Sequence, residues 1–523
     1  MSSTSIDART RARVFAELES RTFDLAVIGG GITGAGIARD AAMRGLSVAL
    51  VEARDYASGT SSRSSKMIHG GLRYLSQGDI ALVKEAASER QILRRIAPHL
   101  TRLSPFLIPT TNMAMTAKLR TGLWTFEKLG GVPEGEKHEV ISLAELQRRE
   151  PLMRTDRLSG AVLYPEFLTD DARLVLANIR SAQGAGATVI NHAAASRLTG
   201  DGLVAASTLD GENLAARIRA RLVVNAAGAW VDQVRGLETG EGGARLSLSR
   251  GIHLVLSRER LPINATLIIR APDKRSIFAV PRGPFTYIGT TDVFHDGADY
   301  WPEPTRGDID YLLRATEAAL AVDPITDADV VSLWTGVRPL IAQPGKKANE
   351  VSRKDEIWTS PGGLISIAGG KLSAYRAMAE RVVDLVVARL GATILPCATA
   401  DTPLPGGSGN ASDGLRDLDP PSAERLIGLY GDEAEAIVGA GGDVAAEASR
   451  AVTHEGAATL EDYWVRRSAR AWFDHDAGRD ALAPAASAMG ALLGWDDDTR
   501  AAQIAHCRRI HHDSRRLLAA KGE

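Results

Sequence analysis

The stretch Ser64 to Asp79, SSKMIHGGLRYLSQGD, gathers a lysine, a histidine, two glycines, an arginine and a tyrosine into one short segment. Histidine is the side chain best matched to taking a proton near neutral pH, which makes His69 the candidate base. A fixed cation and a phenol, Arg73 and Tyr74, follow it in the same segment. The segment follows closely on a strand that already carries a nucleotide signal. Gly29-x-Gly31-x-x-Gly34 comes after the apolar run FDLAVI and opens a helical pattern, and Glu52 ends the next strand, LSVALVE. Gly29 permits a tight turn, Gly31 lets backbone N–H groups approach a pyrophosphate, and Gly34 lets helix and strand pack closely. Ile32 and Thr33 then stand at a helix N-terminus, whose positive dipole end suits phosphates. Glu52 would accept from ribose hydroxyls and repel a 2′-phosphate, which argues against NADP. The motif by itself does not choose between NAD and FAD.

The elements that hold these residues are of α/β type. Two later apolar strands, LVVNAAGAW (222–230) and GLISIAGGK (363–371), also run into small residues. Strand ends scattered in this way predict one discontinuous domain with its ligand at the strand C-termini, a pose that suits a long flavin dinucleotide. We read a discontinuous Rossmann-like FAD-binding domain over 20–105, 165–258 and 331–395. An antiparallel-sheet substrate domain takes 106–164 and 259–330. A Pro-, Gly- and Ser-rich linker covers 396–421, and an all-helical C-terminal domain covers 422–523.

The chain has 523 residues, 44% of them hydrophobic, enough for about three domains. Its net charge of −2 gives no global field for nucleic acid, so none is expected as a partner. Two distant cysteines, Cys397 and Cys507, make neither a disulfide framework nor a thiolate zinc site, and no metal is expected. The polar N-terminus lacks the apolar run of a secretory signal, and no stretch is long and apolar enough to span a bilayer. The expected location is cytoplasmic, with the chain soluble or lying on the cytoplasmic face of the inner membrane.

At GTSSRSSKMIHGGLRYL (59–75) the sequence resembles the FAD-dependent glycerol-3-phosphate dehydrogenases. The likeness continues in VVNAAGAWVD (223–232), IGTTD (288–292), GVRPL (336–340), SRKD (352–355) and GGKLSAYRAMAE (369–380). TLEDYWVRRSAR (459–470) resembles a signature of the family's C-terminal domain. Arg250, His295 and Gly456 depart from the family pattern. The resemblance implies FAD as cofactor and oxidation of sn-glycerol 3-phosphate to dihydroxyacetone phosphate by hydride transfer to the flavin. It also implies His69, Arg338 and Lys371 as catalytic residues, and Arg73, Tyr74, Arg338, Arg353 and Lys371 on the substrate. Arginine forks match phosphate oxygens bidentately. Beyond the glycine turn and Glu52, the implied FAD contacts are Ser61, Ser62, Ser65, Lys66, His69, Gly70, Ala227, Gly228, Gly370, Lys371 and Leu372.

No second NAD site or cysteine relay is legible, so the expected acceptor is a membrane quinone, with an oxidase that releases hydrogen peroxide as the alternative. Thr116 to Gly131 places Leu119, Leu123 and Phe126 at helical spacing among Lys118, Arg120 and Lys128. That pattern fits either a core-facing helix or one lying in a bilayer interface. The basic segment His506 to Arg516 reads as a solvated face, and a homodimer is possible.

Overall fold

The structure, a computed structural model, describes residues 4–69, 80–239, 243–343, 345, 354–409, 415 and 418–519. The run FDLAVI lies within the strand Thr22–Ile28, inside an eight-stranded sheet. It pairs in parallel with Ala215–Asn225 on one side and Val48–Val51 on the other. Ile365–Gly369 and Thr188–Ile190 extend the parallel core, Asp355–Thr359 adds an antiparallel edge beside Ile365–Gly369, and Gly202–Ser207 pairs antiparallel with the first half of Ala215–Asn225. Parallel strands are covered on both faces, so they read as continuous apolar runs, and Val48–Val51 is buried at every position. The helix Ile32–Met43 is rich in small residues and packs closely against Asp171–Gly184 and Tyr375–Leu390. A Cβ on Gly36 would come within 3.1 Å of the Ala379 Cβ, so the close approach needs glycine there.

The second sheet has ten strands and is mostly antiparallel. Its order is Val293–Phe294, Leu246–Ser257, Phe285–Gly289, Ser276–Arg282, Thr266–Arg270, Arg102–Thr110, Gly160–Leu168 and Met67–Ile68. Val330–Ile341 joins Leu246–Ser257, and Glu139–Ser142 joins Gly160–Leu168. Leu246–Ser257 and Val330–Ile341 pair along nearly their whole length and belong to this sheet. An apolar strand pattern specifies a face to be buried but names no partner strand, so this pairing is not legible in the sequence.

The C-terminal region is helical as expected, with helices Pro420–Tyr430, Ala434–Gly439, Val444–Glu455, Leu482–Leu493 and Asp497–Ala519. The described part of the linker is docked on the first domain. Leu404 is buried, its amide donates to the Ile96 carbonyl at 2.7 Å, and Arg39 donates to the Thr402 carbonyl at 2.6 Å.

A buried ionic joint fixes the helical region to the dinucleotide domain. Asp55 stands just beyond the strand that ends at Val51 and accepts from both Arg466 and Arg467 of the π-helical turn Asp462–Arg467. Asn191 adds a bond to Asp55 at 2.9 Å. Arg466 also donates to Asp462 at 2.9 Å, to Glu461 at 2.8 Å and to the Tyr300 hydroxyl at 3.0 Å. The Asp55, Arg466 and Arg467 side chains are at most 1% exposed. Burial works against an ionised Glu461, but Arg466, His506 and Tyr300 overcome it and hold that carboxyl at about 2. Its folded value lies below its free value, so its contribution is full above the ordinary carboxylate range and is lost as pH falls toward 2.

Candidate active site

The glycine turn shapes one end of a cavity of about 1280 Å³ lined from both sheets. That exceeds the roughly 300–1,000 Å³ of an ordinary small-ligand pocket. Gly29 has φ +111°, and a Cβ there would lie 2.6 Å from the Ala226 carbonyl oxygen. A Cβ on Gly34 would sit 1.9 Å from the Gly29 oxygen. Gly31 is the N-cap of the helix Ile32–Met43, and Gly31, Ile32 and Thr33 face the cavity, so the helix N-terminus opens into it. The Glu52 carboxylate on the same wall accepts from the Gly30 amide at 2.6 Å and the Arg54 amide at 2.9 Å. Burial pushes its pKa up, and those two amides oppose the rise. Ser61, also on the wall, accepts from the Ile32 amide at 3.0 Å.

Further along, Ala227, Gly228, Gly370, Lys371 and Leu372 line the cavity at the ends of the two later parallel strands. Gly369 and Gly370 have φ +78° and +87°, so the chain turns there in a conformation that favours glycine. At the far end Phe106, Tyr164, Ile268 and Phe278 from the second sheet form an apolar wall. His69, Ser65 and Arg338 also line the cavity. His69 follows the short strand Met67–Ile68, which is pinned antiparallel to Phe167–Leu168. Arg338 donates to the Thr290 hydroxyl at 2.8 Å and the Thr291 carbonyl at 3.2 Å, and pairs with Asp292 at 3.4 Å. Gly251 gives it room, since a Cβ there would lie 2.3 Å from Arg338 Nη2.

Comparison with known proteins decides the family. Residues 24–376 match the model described as FAD dependent oxidoreductase, and 397–500 match the C-terminal domain of alpha-glycerophosphate oxidase. An aerobic glycerol-3-phosphate dehydrogenase of Bacillus subtilis is 36% identical over 96% of this chain and 97% of its own. One from Staphylococcus aureus strain USA300 is 42% identical over 76% of this chain and 73% of its own. The chain belongs to the FAD-dependent glycerol-3-phosphate dehydrogenase family. A solved glycerol-3-phosphate dehydrogenase from Bacillus halodurans, complexed with FAD, superimposes with a TM-score of 0.81 at 32% identity, covering 97% of this chain and 98% of that one.

The site fits the family's FAD. A cradle that side chains at 29, 31 and 34 would obstruct, an open helix N-terminus and a fixed carboxylate make one dinucleotide end. The small residues at the later strand ends leave room for the rest. Not every residue expected at the cofactor lies on the wall. Lys66 is buried behind it, with Nζ 2.5 Å from Asp171 and 3.0 Å from the Ser62 carbonyl. Ser62 is buried with it, and neither lines the cavity. The Lys66–Asp171 pair instead supports the backbone that carries His69, because a buried ammonium needs its charge and donors satisfied locally. Gly70, Arg73, Tyr74 and Arg353 lie outside the described residues.

Sequence reasoning missed His253. It is 1% exposed, stacked on Trp334 with ring centroids 4.7 Å apart, and its Nε2 is 2.9 Å from the Ser65 hydroxyl. Burial, with Arg338 and Lys66 nearby, drives its pKa well below the ordinary histidine value and keeps the ring neutral. It therefore orients Ser65 on the cavity wall. The one available signal was a histidine two residues after Gly251, set between Ile252 and the apolar run of Leu254, Val255 and Leu256.

Gly34→Ala is expected to yield protein with little or no bound FAD, since the added methyl collides with backbone that has no side-chain freedom to yield. Visible absorbance per mole of purified protein checks this, and a full complement of yellow flavin in the variant contradicts it.

Proposed function

We propose that this protein oxidises sn-glycerol 3-phosphate to dihydroxyacetone phosphate and delivers the electrons to a membrane quinone. The observation that carries the reading is convergence. His69, Arg338 and Lys371, far apart in sequence, line one cavity together with the dinucleotide cradle. The family membership and the names of the relatives from B. subtilis and S. aureus support the substrate.

When bound, FAD supplies the redox chemistry by accepting a hydride from the carbinol carbon. His69 takes the hydroxyl proton as that hydride leaves. Arg338 and Lys371 hold the phosphate and so orient the carbinol, replacing a bimolecular encounter with a fixed geometry. Arg338 stands ready for this, since Thr290, Thr291 and Asp292 already fix its guanidinium. Arg338 and Lys371, which line the cavity, would also supply positive charge to stabilise a bound anion.

The helix Met113–Gly130 favours a membrane acceptor. Leu123 and Phe126 are buried, so one stripe of the helix is core, as the spacing allowed. The opposite side exposes Trp124 at 56% and Met113 at 79%, with Lys118, Arg120 and Lys128 also exposed. Aromatic and thioether groups flanked by cations suit a bilayer interface. Among the described residues no helix is long and apolar enough to cross a membrane. The match of residues 397–500 to the C-terminal domain of alpha-glycerophosphate oxidase favours a second reading, with O2 as acceptor and hydrogen peroxide as product.

The deciding experiment adds sn-glycerol 3-phosphate to the yellow protein without oxygen and watches the flavin band. Rapid bleaching is expected, followed by recovery of the band with a soluble quinone faster than with air. Failure to bleach removes the substrate assignment. Stoichiometric peroxide with no quinone preference transfers the reading to the oxidase.

A further inference from the structure

We propose that Arg275 is a second anion-binding residue of this site and grips the substrate's phosphate together with Arg338. The inference rests on the glycerol 3-phosphate reading and deepens it. Arg275 lies in the turn between the strands Thr266–Arg270 and Ser276–Arg282, and with Lys274 it lines the same cavity as Arg338. The two guanidinium groups converge on one residue. Arg275 Nη1 donates to the Asp292 carbonyl at 3.4 Å, while Arg338 Nη1 faces the Asp292 carboxylate at 3.4 Å. Two cations drawn together on one cavity wall repel each other and favour a ligand that brings negative charge between them. Asp292 beside Arg338 and Asp273 beside Arg275 contribute one such charge each, against the three cations Lys274, Arg275 and Arg338. A phosphate monoester at neutral pH brings nearly two more.

Arg275 is oriented before any ligand arrives. Its Nε donates to Asp273 at 2.6 Å, and its guanidinium lies 4.6 Å from the Tyr311 ring centroid. Tyr311 in turn donates to Asp273 at 3.0 Å. A planar fork fixed in this way loses little freedom on binding. The side chain remains 31% exposed, so a ligand can reach it. Stability offers a weak reason for an arginine here, because an exposed pair such as Arg275–Asp273 contributes little to folding. Lys274, exposed in the same turn, adds positive charge at the cavity wall and steers anions inward.

The test uses full-length, FAD-loaded wild type, R275Q and R275K. Anaerobic flavin reduction is followed against sn-glycerol 3-phosphate concentration, with inorganic phosphate titrated as competitor. In R275Q the half-saturating substrate concentration is expected to rise about 10- to 100-fold, the span of one charge-assisted hydrogen bond, with the limiting rate little changed. Phosphate should weaken as a competitor by the same factor, and R275K should recover part of the loss. Unchanged half-saturation and unchanged phosphate competition in R275Q overturn the proposal. If glycerol 3-phosphate fails to reduce the wild type, the substrate reading falls instead. Phosphate binding, read from the visible flavin spectrum of wild type and R275Q, then still decides whether Arg275 holds an anion.

Discussion

His69→Asn is expected to keep its FAD and to be reduced by sn-glycerol 3-phosphate about 10²- to 10⁴-fold more slowly than the wild type. Asparagine retains polar atoms of similar reach but cannot accept a proton near neutral pH, so the substitution isolates the acid–base role. The backbone at this position is anchored independently of the side chain. Met67–Ile68 is paired to Phe167–Leu168, and Lys66 is clamped to Asp171. The cradle that holds FAD is built by Gly29 to Gly34, Glu52 and the later strand ends, and it should survive the change. Stopped-flow reduction across pH gives the second readout. In the wild type the rate should fall as the base becomes protonated, and the variant should lose that limb. A variant with a near-normal rate and an unaltered pH profile would remove His69 from the role.

The parts of this site that could be read from sequence are those whose chemistry is written in a local pattern. Gly29, Gly31 and Gly34 were legible because their spacing falls in one strand-to-helix turn, where Gly34 meets the Gly29 carbonyl, although the backbone that Gly29 itself meets is Ala226, far away in sequence. The glycines before Lys371 were legible for a similar reason. The direction of the Lys66 side chain was not legible, since nothing local announces that it turns back to Asp171, 105 positions away. His253 and Arg275 were overlooked for opposite reasons. A histidine in an apolar strand reads as core, and one arginine among many reads as surface, until the fold sets them near Ser65 and Asp292. The pairing of Leu246–Ser257 with Val330–Ile341 was not legible, because both carry apolar faces that either sheet would bury. The joint at Asp55 could not be read at all. Its partners lie 411 and 412 positions away, and nothing local announces the pairing.

That joint carries the second large effect. Asp55→Asn is expected to destabilise the protein by about 3–5 kcal/mol, the cost of breaking a buried ion pair from one side. Arg466 and Arg467 stay buried when the charge goes, and they keep only part of their compensation. Arg466 retains Asp462 and Glu461, while Arg467 retains chiefly the Glu455 carbonyl. The asparagine amide also places donors against donors wherever it faces a guanidinium. An exposed pair is the proper control. Arg217–Asp201 has side chains 57% and 48% exposed, and Asp201→Asn should leave stability almost unchanged. The damage should also reach the cofactor. Asp55 belongs to the segment that runs from Glu52 through Ser61, whose inner face lines the FAD cavity and whose outer face meets the helical domain. Asp55→Asn should therefore release FAD more readily than Asp201→Asn, and excess FAD should restore part of the lost stability by mass action. Denaturant unfolding followed by tryptophan and flavin fluorescence separates the two effects. If Asp55→Asn matches Asp201→Asn in both, the joint neither holds the helical domain in place nor supports the cofactor segment, and the turn Asp462–Arg467 needs another explanation.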